Sequence, residues 1–337
     1  MSPRQARLLP WLSLFVVYVV WGSTYMAIRV VVRDLPPFAT ASLRFLIAGC
    51  VMAGIALLVD RSAGWPDARQ ILDYSAIGVL LLSVGNGLVM WSERFIPSGI
   101  AALIVATVPL WLTFFDGLRP GGQPWTGRVW AGTLVGLVGV LFVARPAGGV
   151  APGHWPGILA LQVASLSWTA GSLYSQSVRR RVPLVSASAI EMLAGGLVLS
   201  LQSLLVREDL GSFQSAPARA WLAILYLVVF GSLVGFTAFA YCLNELPASI
   251  VGTYAYVNPV VAVALGRVFL GEPLSAGLVT GGLLILAAVL LSSSGGRGLR
   301  TRTEPPELAR SGTSAERPVS CCGRRPWLRT VPGRRSG

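Results

Sequence analysis

Residues 38–54 read FATASLRFLIAGCVMAG, and residues 185–201 read VSASAIEMLAGGLVLSL. Each is apolar over most of its length, and about 20 apolar residues cross a bilayer. Each also carries one ionisable group, Arg44 in the first and Glu191 in the second. Laid together at an offset of 147, they pair Ala41 with Ser188, Leu46 with Leu193, Gly49 with Gly196 and Arg44 with Glu191. An ionisable side chain inside a membrane span is costly and marks a functional position by default. The chain reads as one pattern written twice, with buried groups of opposite sign at matching places.

The composition supports a membrane protein. Of 337 residues, 54% are hydrophobic and 12% charged, against about a quarter charged in an ordinary soluble domain. The formal net charge is +13, carried by arginine with no lysine at all. Ten of the 27 arginines lie in the last 44 residues, and the apolar runs argue against a nucleic-acid binder. Cys50 and Cys242 sit in apolar runs, where cysteine is usually a small buried hydrophobe. Cys321 and Cys322 form a pair in the tail. His154 is the only histidine, so zinc chemistry has no ligand set. No cofactor is expected.

Ten helices are predicted, over about residues 9–28, 38–59, 74–92, 98–115, 129–145, 155–178, 184–206, 219–243, 248–270 and 276–293. The first follows Arg4 and Arg7 and is longer than a signal-peptide core, so it reads as an uncleaved span. From Ser294 the chain is basic and rich in glycine and proline, which reads as a disordered tail.

The repeat extends well beyond the opening pair of stretches. At an offset of 150, Ile96-Pro97-Ser98-Gly99-Ile100 lies over Leu246-Pro247-Ala248-Ser249-Ile250, Pro109 over Pro259 and Gly85 over Gly235. A one-residue slip sets Gly122-Gln123-Pro124 over Gly271-Glu272-Pro273, and Trp21 meets Trp168 at 147. Five spans per copy put the second copy into the membrane from the opposite side. The expected fold is an all-α integral membrane protein, ten transmembrane helices as two inverted five-helix repeats. Residues 1–148 form the first repeat, 149–293 the second and 294–337 the tail. With the amino terminus inside, 19 arginines fall on the cytoplasmic side and 7 outside. The positive-inside rule then places both termini in the cytoplasm.

Candidate site residues follow from chemistry at membrane depth. Pro109 and Pro259 each break a helix and free the carbonyl four residues earlier, on Val105 and Ala255. Such breaks survive in a membrane where protein or a cavity satisfies the freed group; the plainer alternative is a kink with no further role. Thr253, Tyr256 and Asn258 make helix 9 the most polar span. Asn86 and Trp91 from helix 3, Trp168 and Tyr174 from helix 6, and Tyr241 from helix 8 add aromatic and amide groups. A pocket of that kind suits a small amphipathic solute. Trp11, Trp65, Trp125, Trp155 and Trp221 lie at span ends and read as an interfacial belt. Arg44 would hold a carboxylate-bearing solute, and Glu191 would be a proton-linked acid; snorkelling or helix pairing is the alternative for each. Both lie about six residues into their helices, from opposite faces. At 1.5 Å per residue in a core about 30 Å thick, that leaves their backbones roughly 12 Å apart along the normal, so direct pairing is not expected.

Trp21 to Arg29, WGSTYMAIR, with Leu35-Pro36-Pro37 and Leu43-Arg44-Phe45, resembles the opening of EamA-type members of the drug/metabolite transporter superfamily. Pro97 to Pro109, Pro247 to Pro259 and Gly271-Glu272-Pro273 are similar to that family's fourth-helix, ninth-helix and Gly-Glu signatures. The resemblance covers about residues 8 to 293 and adds Trp21 and Tyr25 as site candidates. It implies ten helices in two inverted repeats, an inner-membrane location and export or exchange of metabolites. Gln123 departs from the pattern, standing where the second repeat has Glu272; a loop-capping role for Glu272 is therefore expected over a coupling role.

The expected function is a secondary transporter moving a small metabolite, amino acid or drug-like solute by alternating access, with proton coupling as one energy source. A lipid flippase of the same fold is the alternative. The catalytic patterns of ATPases, serine hydrolases and zinc proteases are missing, so no enzyme is expected.

Overall fold

The computed structural model describes residues 3–60, 66–119, 126–143, 154–178, 182–246, 251 and 253–293. All regular structure among them is helical. The helices are α1 (Pro3–Val31), α2 (Pro37–Val59), α3 (Ala68–Ser92), α4 (Ser98–Val105), α5 (Val108–Asp116), α6 (Gly127–Val143), α7 (Trp155–Ser177), α8 (Leu184–Leu205), α9 (218–245), α10 (Tyr254–Leu270) and α11 (Ala276–Ser293). Gln123, Pro247, Arg179 to Arg181 and the tail with Cys321 and Cys322 lie outside the described residues.

Proline sets several starts. Pro37 opens α2 and Pro109 stands in the first turn of α5, where the missing N–H costs nothing and φ is already helical. Two helices are not α-helical throughout. α3 passes into a π-helix over Val79–Asn86, and α9 does so over Leu227–Val234. These segments are eight residues each and 148 positions apart. π-helical turns are rare and concentrate at functional sites.

Lipid tails are as apolar as leucine, so helices in a membrane associate by close packing rather than by escape from water. Small residues permit that approach. α2 packs on α8, and a Cβ at Gly49 would sit 2.9 Å from Leu193 Cγ, as one at Gly196 would from Leu46 Cγ. The residues paired at the 147 offset thus meet each other across one seam. α6 packs on α11 with the backbones of Gly139 and Gly281 in contact. α1 packs on α9 and α10, and α7 packs on α3 and α4. Phe45, Leu82, Met90, Leu161, Met192, Leu199 and Leu227 are fully buried where these helices meet.

Carboxylates close the exposed helix starts. Glu208, just past α8, accepts from the Phe38 and Ala39 amides at the start of α2. Asp60, just past α2, accepts from the amide and hydroxyl of Ser186 at the start of α8. Each helix of this pair therefore carries the acid that satisfies the other's free N–H groups, and an anion at a helix N-terminus is stabilising. Glu272 does the same for α4, accepting from the Ser98 amide and hydroxyl and from the Gly99 amide. Gly271 makes this reach possible: its φ of 66° ends α10 in the left-handed region, which glycine enters without a Cβ clash. This arrangement fits the capping role expected for Glu272.

Six helices are long and apolar enough to cross a membrane, and three shorter ones, Gly127–Val143, Tyr254–Leu270 and Ala276–Leu291, are also apolar. α7 belongs to neither group because serine, threonine and glutamine interrupt its apolar run. Cys50 differs from expectation: it is exposed on α2, while Cys242 is buried against the Pro10 carbonyl. Cys50 shares the outer face of α2 with Ile47, Val51 and Leu58, a surface suited to lipid, where burial against protein is not needed.

A cavity between two π-helical segments

A cavity of about 310 Å³ opens in the middle of the bundle. α1 lines it with Trp21, Thr24, Tyr25 and Ile28, α2 with Arg44, α3 with Asn86 and Val89, and α7 with Trp168. Phe236 of α9 closes one side. Tyr254, Ala255, Tyr256, Asn258 and Pro259 of α10 complete the wall.

Chain breaks shape the rest. α4 stops at Val105 and α5 begins at Val108, so the run 98–116 is broken at Ala106 and Thr107. Thr107 O then accepts from both Leu110 N and Trp111 N, while Pro109 has no N–H to offer. Pro259 lies inside α10. Val105 and Ala255, the residues whose carbonyls the two prolines leave without a helical donor, both line the cavity.

Arg44 is 3% exposed. Its Nε donates to Ser232 Oγ at 2.9 Å and its Nη1 donates to Asn86 Oδ1 at 3.4 Å. Those two acceptors belong to the two π-helical segments, so one guanidinium joins them. Gly231 leaves room for the head group, since a Cβ there would sit 3.1 Å from Nη2. The guanidinium also lies 4.7 Å from the Phe45 ring centroid. The ion pairs among the described residues, Arg119 with Asp116 and Arg219 with Asp34, lie elsewhere. A buried guanidinium with neutral partners keeps most of its charge available to an anion.

Glu191, at the matching position of α8, does not line this cavity. Its backbone lies against Gly78 of α3, on the seam between α3 and α8. The asymmetry has a local cause. At the 150 offset that sets Gly85 over Gly235, Asn86 corresponds to Phe236 and Ser232 to Leu82. The positions matching the polar partners of Arg44 carry a phenylalanine and a leucine.

The aromatic wall is tightly keyed. Trp21 meets Phe236 edge-on at 5.4 Å and Tyr254 at 5.3 Å. Trp21 also rests on Gly235, and Trp168 rests on Gly85. Tyr18 and Thr253 share a hydrogen bond between their hydroxyls, and Ser23 and Tyr226 share another at 2.6 Å. The Asn258 amide nitrogen, when turned toward them, donates to the Tyr18 and Tyr254 carbonyls at 3.2 Å.

Of the residues singled out from sequence, the cavity gathers Trp21, Tyr25, Arg44, Asn86, Trp168, Tyr256, Asn258, Pro109 and Pro259. The others lie outside it. Trp91 lines a separate cleft with Arg33, Arg94 and Arg207. Tyr174 donates to Asp73 at 2.7 Å on an exposed surface. Tyr241 is half-buried on α9, and Thr253 bonds to Tyr18. Sequence reasoning missed Thr24, which lines the cavity, and Ser232, which accepts from Arg44. It also missed Glu93, which stands at the end of a span beside Arg94.

Glu93 is the residue after α3 and is fully buried, with no partner on either carboxylate oxygen. Arg29 of α1 donates to its backbone carbonyl instead. Burial pushes the Glu93 carboxyl well above the ordinary carboxylate range, the Glu272 carboxylate adds to this, and Arg29 opposes it. No group of three or more metal-ligating side chains occurs among the described residues.

The EamA-like transporter family model matches the chain twice, over residues 9–145 and 155–294. The chain is 39% identical over 292 residues to the uncharacterized inner membrane transporter YedA of Escherichia coli strain K12, covering 86% of this chain and 92% of that protein. It is 25% identical to an uncharacterized transporter of Archaeoglobus fulgidus, over 83% of this chain and 97% of the other. It is also 25% identical to Protein PagO of Salmonella typhimurium, over 77% and 84%. A solved crystal structure at 23% identity superposes with a TM-score of 0.57, covering 85% of this chain and 96% of the other; at that identity it speaks for the fold alone. With the family model matching most of its length, the chain belongs to the EamA-like transporter family.

Proposed function

We propose that the chain is a secondary transporter of a small organic anion, with the Arg44 cavity as its substrate site. The observation that carries this reading is the placement of Arg44. It is buried, has no acid partner, and is held by one acceptor from each π-helical segment in a cavity walled by Trp21, Tyr254, Phe236 and Trp168. Keeping a charge at such a depth is expensive, and a bound carboxylate or carbonyl oxygen offsets that cost. The apolar walls take the rest of the solute. A volume near 310 Å³ is at the small end of ligand pockets, which favours a metabolite over a lipid.

In this reading the ten helical passes form two inverted five-helix repeats in the inner membrane, with both termini in the cytoplasm. The repeats rock about Arg44, with hinges at Pro109, beside the break in 98–116, and at Pro259, inside α10. An ion or substrate gradient drives the cycle. Support comes from the twofold family match, the paired π-helical segments and the reciprocal contacts of α2 and α8. YedA is named as an inner membrane protein, which supports the location.

Metabolite profiling of cells with and without the protein identifies the solute, and flux into vesicles then tests the site. Wild type carries the solute, Arg44→Ala loses flux, and Glu191→Gln, outside the cavity, keeps it. Unchanged flux in Arg44→Ala would sink this assignment.

A further inference from the structure

We propose that Glu93 is a proton-binding site of the transport cycle, neutral while the end of the bundle that holds it is closed and ionised when that end admits water. The position is a buried one. Glu93 is 0% exposed and neither carboxylate oxygen has a hydrogen-bond partner. A bare carboxylate so placed would carry a heavy desolvation penalty. A carboxylic acid avoids most of it.

The neighbours do not remove the need for a proton. Arg29, on α1, spends Nη1 on the Glu93 backbone carbonyl and forms no ion pair with the carboxylate. Arg33, one turn on, and His154, before α7, act electrostatically on Arg29. Glu272, from the link after α10, accepts from three donors at the start of α4. Its negative charge disfavours a second one beside it. Tyr25 lies one turn before Arg29 on α1, lines the cavity and interacts electrostatically with Glu93. The acid therefore stands between the solute cavity and the end formed by Arg33, Asp34 and Glu208.

The chemistry is simple proton exchange. A Glu93 carboxylate takes one proton from water at this end and becomes the neutral acid; no other bond changes. The neutral acid tolerates closure, whereas the anion favours hydration. Proton binding thus favours the closed end, and opening releases the proton to the phase on that side. The coupling role rests on the transporter reading above; the protonation itself does not.

Infrared difference spectra of the full chain in lipid nanodiscs, titrated between about pH 5 and pH 9, test the site directly, since buried glutamates titrate as high as about 8–9. Wild type is expected to show the C=O stretch of a protonated carboxyl fading as pH rises. Glu93→Gln loses that band and keeps the wild-type Tm at the acid end, because the amide resembles the neutral acid. Glu191→Gln removes at most its own component and keeps the one that Glu93→Gln removes. A band unchanged in Glu93→Gln overturns the proposal. So does a Tm drop in that variant at the acid end, which would mean an ionised Glu93 paired with Arg29. Loss of the band together with unchanged flux in Arg44→Ala would overturn the substrate site and leave the proton site standing.

Discussion

Nε1 of Trp21 fills the space that a side chain at Gly235 would need: a Cβ there would lie 2.5 Å from it. Trp168 bears on Gly85 in the same way, at 3.2 Å from Cε3. A tryptophan from each half of the chain thus rests on a glycine from the other half, beside the end of a π-helical segment. An indole cannot yield as a flexible chain does. Gly235→Ala is therefore expected to lower stability by about 1–3 kcal/mol, the usual cost of overpacking, with a smaller loss for Gly85→Ala. Thermal unfolding in detergent of both variants checks the order; an equal or reversed order contradicts it.

Arg44→Met should separate stability from function. Methionine fills similar space without a charge, and replacing a buried charge by an apolar side chain is often neutral or stabilising. The Tm is expected to hold or rise while solute flux disappears. Arg44→Lys should lose flux too, since an ammonium cannot reproduce the forked reach to Ser232 and Asn86. Retained flux in Arg44→Met would show that the charge is dispensable.

The seam between α2 and α8 offers a double-mutant cycle. Gly49→Val pushes into Leu193, with Leu193 Cγ already 2.9 Å from where a Cβ would go. The single variant should lose about 1–3 kcal/mol. Adding Leu193→Ala should recover part of that loss, giving a coupling of about 0.5–3 kcal/mol for residues in contact. Purely additive Tm changes would show that these two residues do not meet.

Glu272→Ala strips three donors at the start of α4 of their acceptor. The cost expected is about 0.5–2 kcal/mol for a lost helix cap, read as a lower Tm. Glu272→Gln should recover part of it, because the amide oxygen still accepts. A Glu272→Ala protein with wild-type Tm would remove the cap from the argument.

Stability should also fall as pH rises. Glu93 is displaced upward from 4.5 by burial, with Glu272 adding to the shift. The folded state then holds a proton that the unfolded state releases, so its contribution is complete below about pH 4.5 and is lost as pH climbs toward the folded value. Wild-type Tm is expected to decline across that window and Glu93→Gln to flatten the decline. A wild-type curve that rises with pH over the same range would contradict this sign.

Much of the helical layout was legible because membrane spans are written as long apolar runs, and the repeat pairs in sequence fell together in space: Leu46 and Gly49 meet Gly196 and Leu193. The helix breaks near Pro109 were legible for the same reason that prolines are, since the residue itself removes the donor. The π-helical turns were not. Val79–Asn86 and Leu227–Val234 look like any apolar helix, and an extra residue in a turn leaves no signature in residue type. Glu191 matched Arg44 by position, but position did not say whether polar partners would be waiting; Phe236 and Leu82 occupy those places. Glu93 was hidden by its address beside an arginine at a span end, where an exposed charge is the ordinary expectation.

The contacts of α1 have a consequence for how the protein is made. It packs mostly on α9 and α10, which leave the ribosome long after it. At about 5–20 residues per second, the interval is on the order of ten seconds or more. During that time Trp21 has no Gly235 to rest on, and Arg44 has no Ser232. The first half of the chain must wait in the bilayer with its polar groups uncovered, and the cavity is finished only when the second half threads in beside it. Newly made chains are therefore most exposed to quality-control proteases before α10 arrives, and a chain cut between α6 and α7 yields two pieces, neither of which holds a complete cavity.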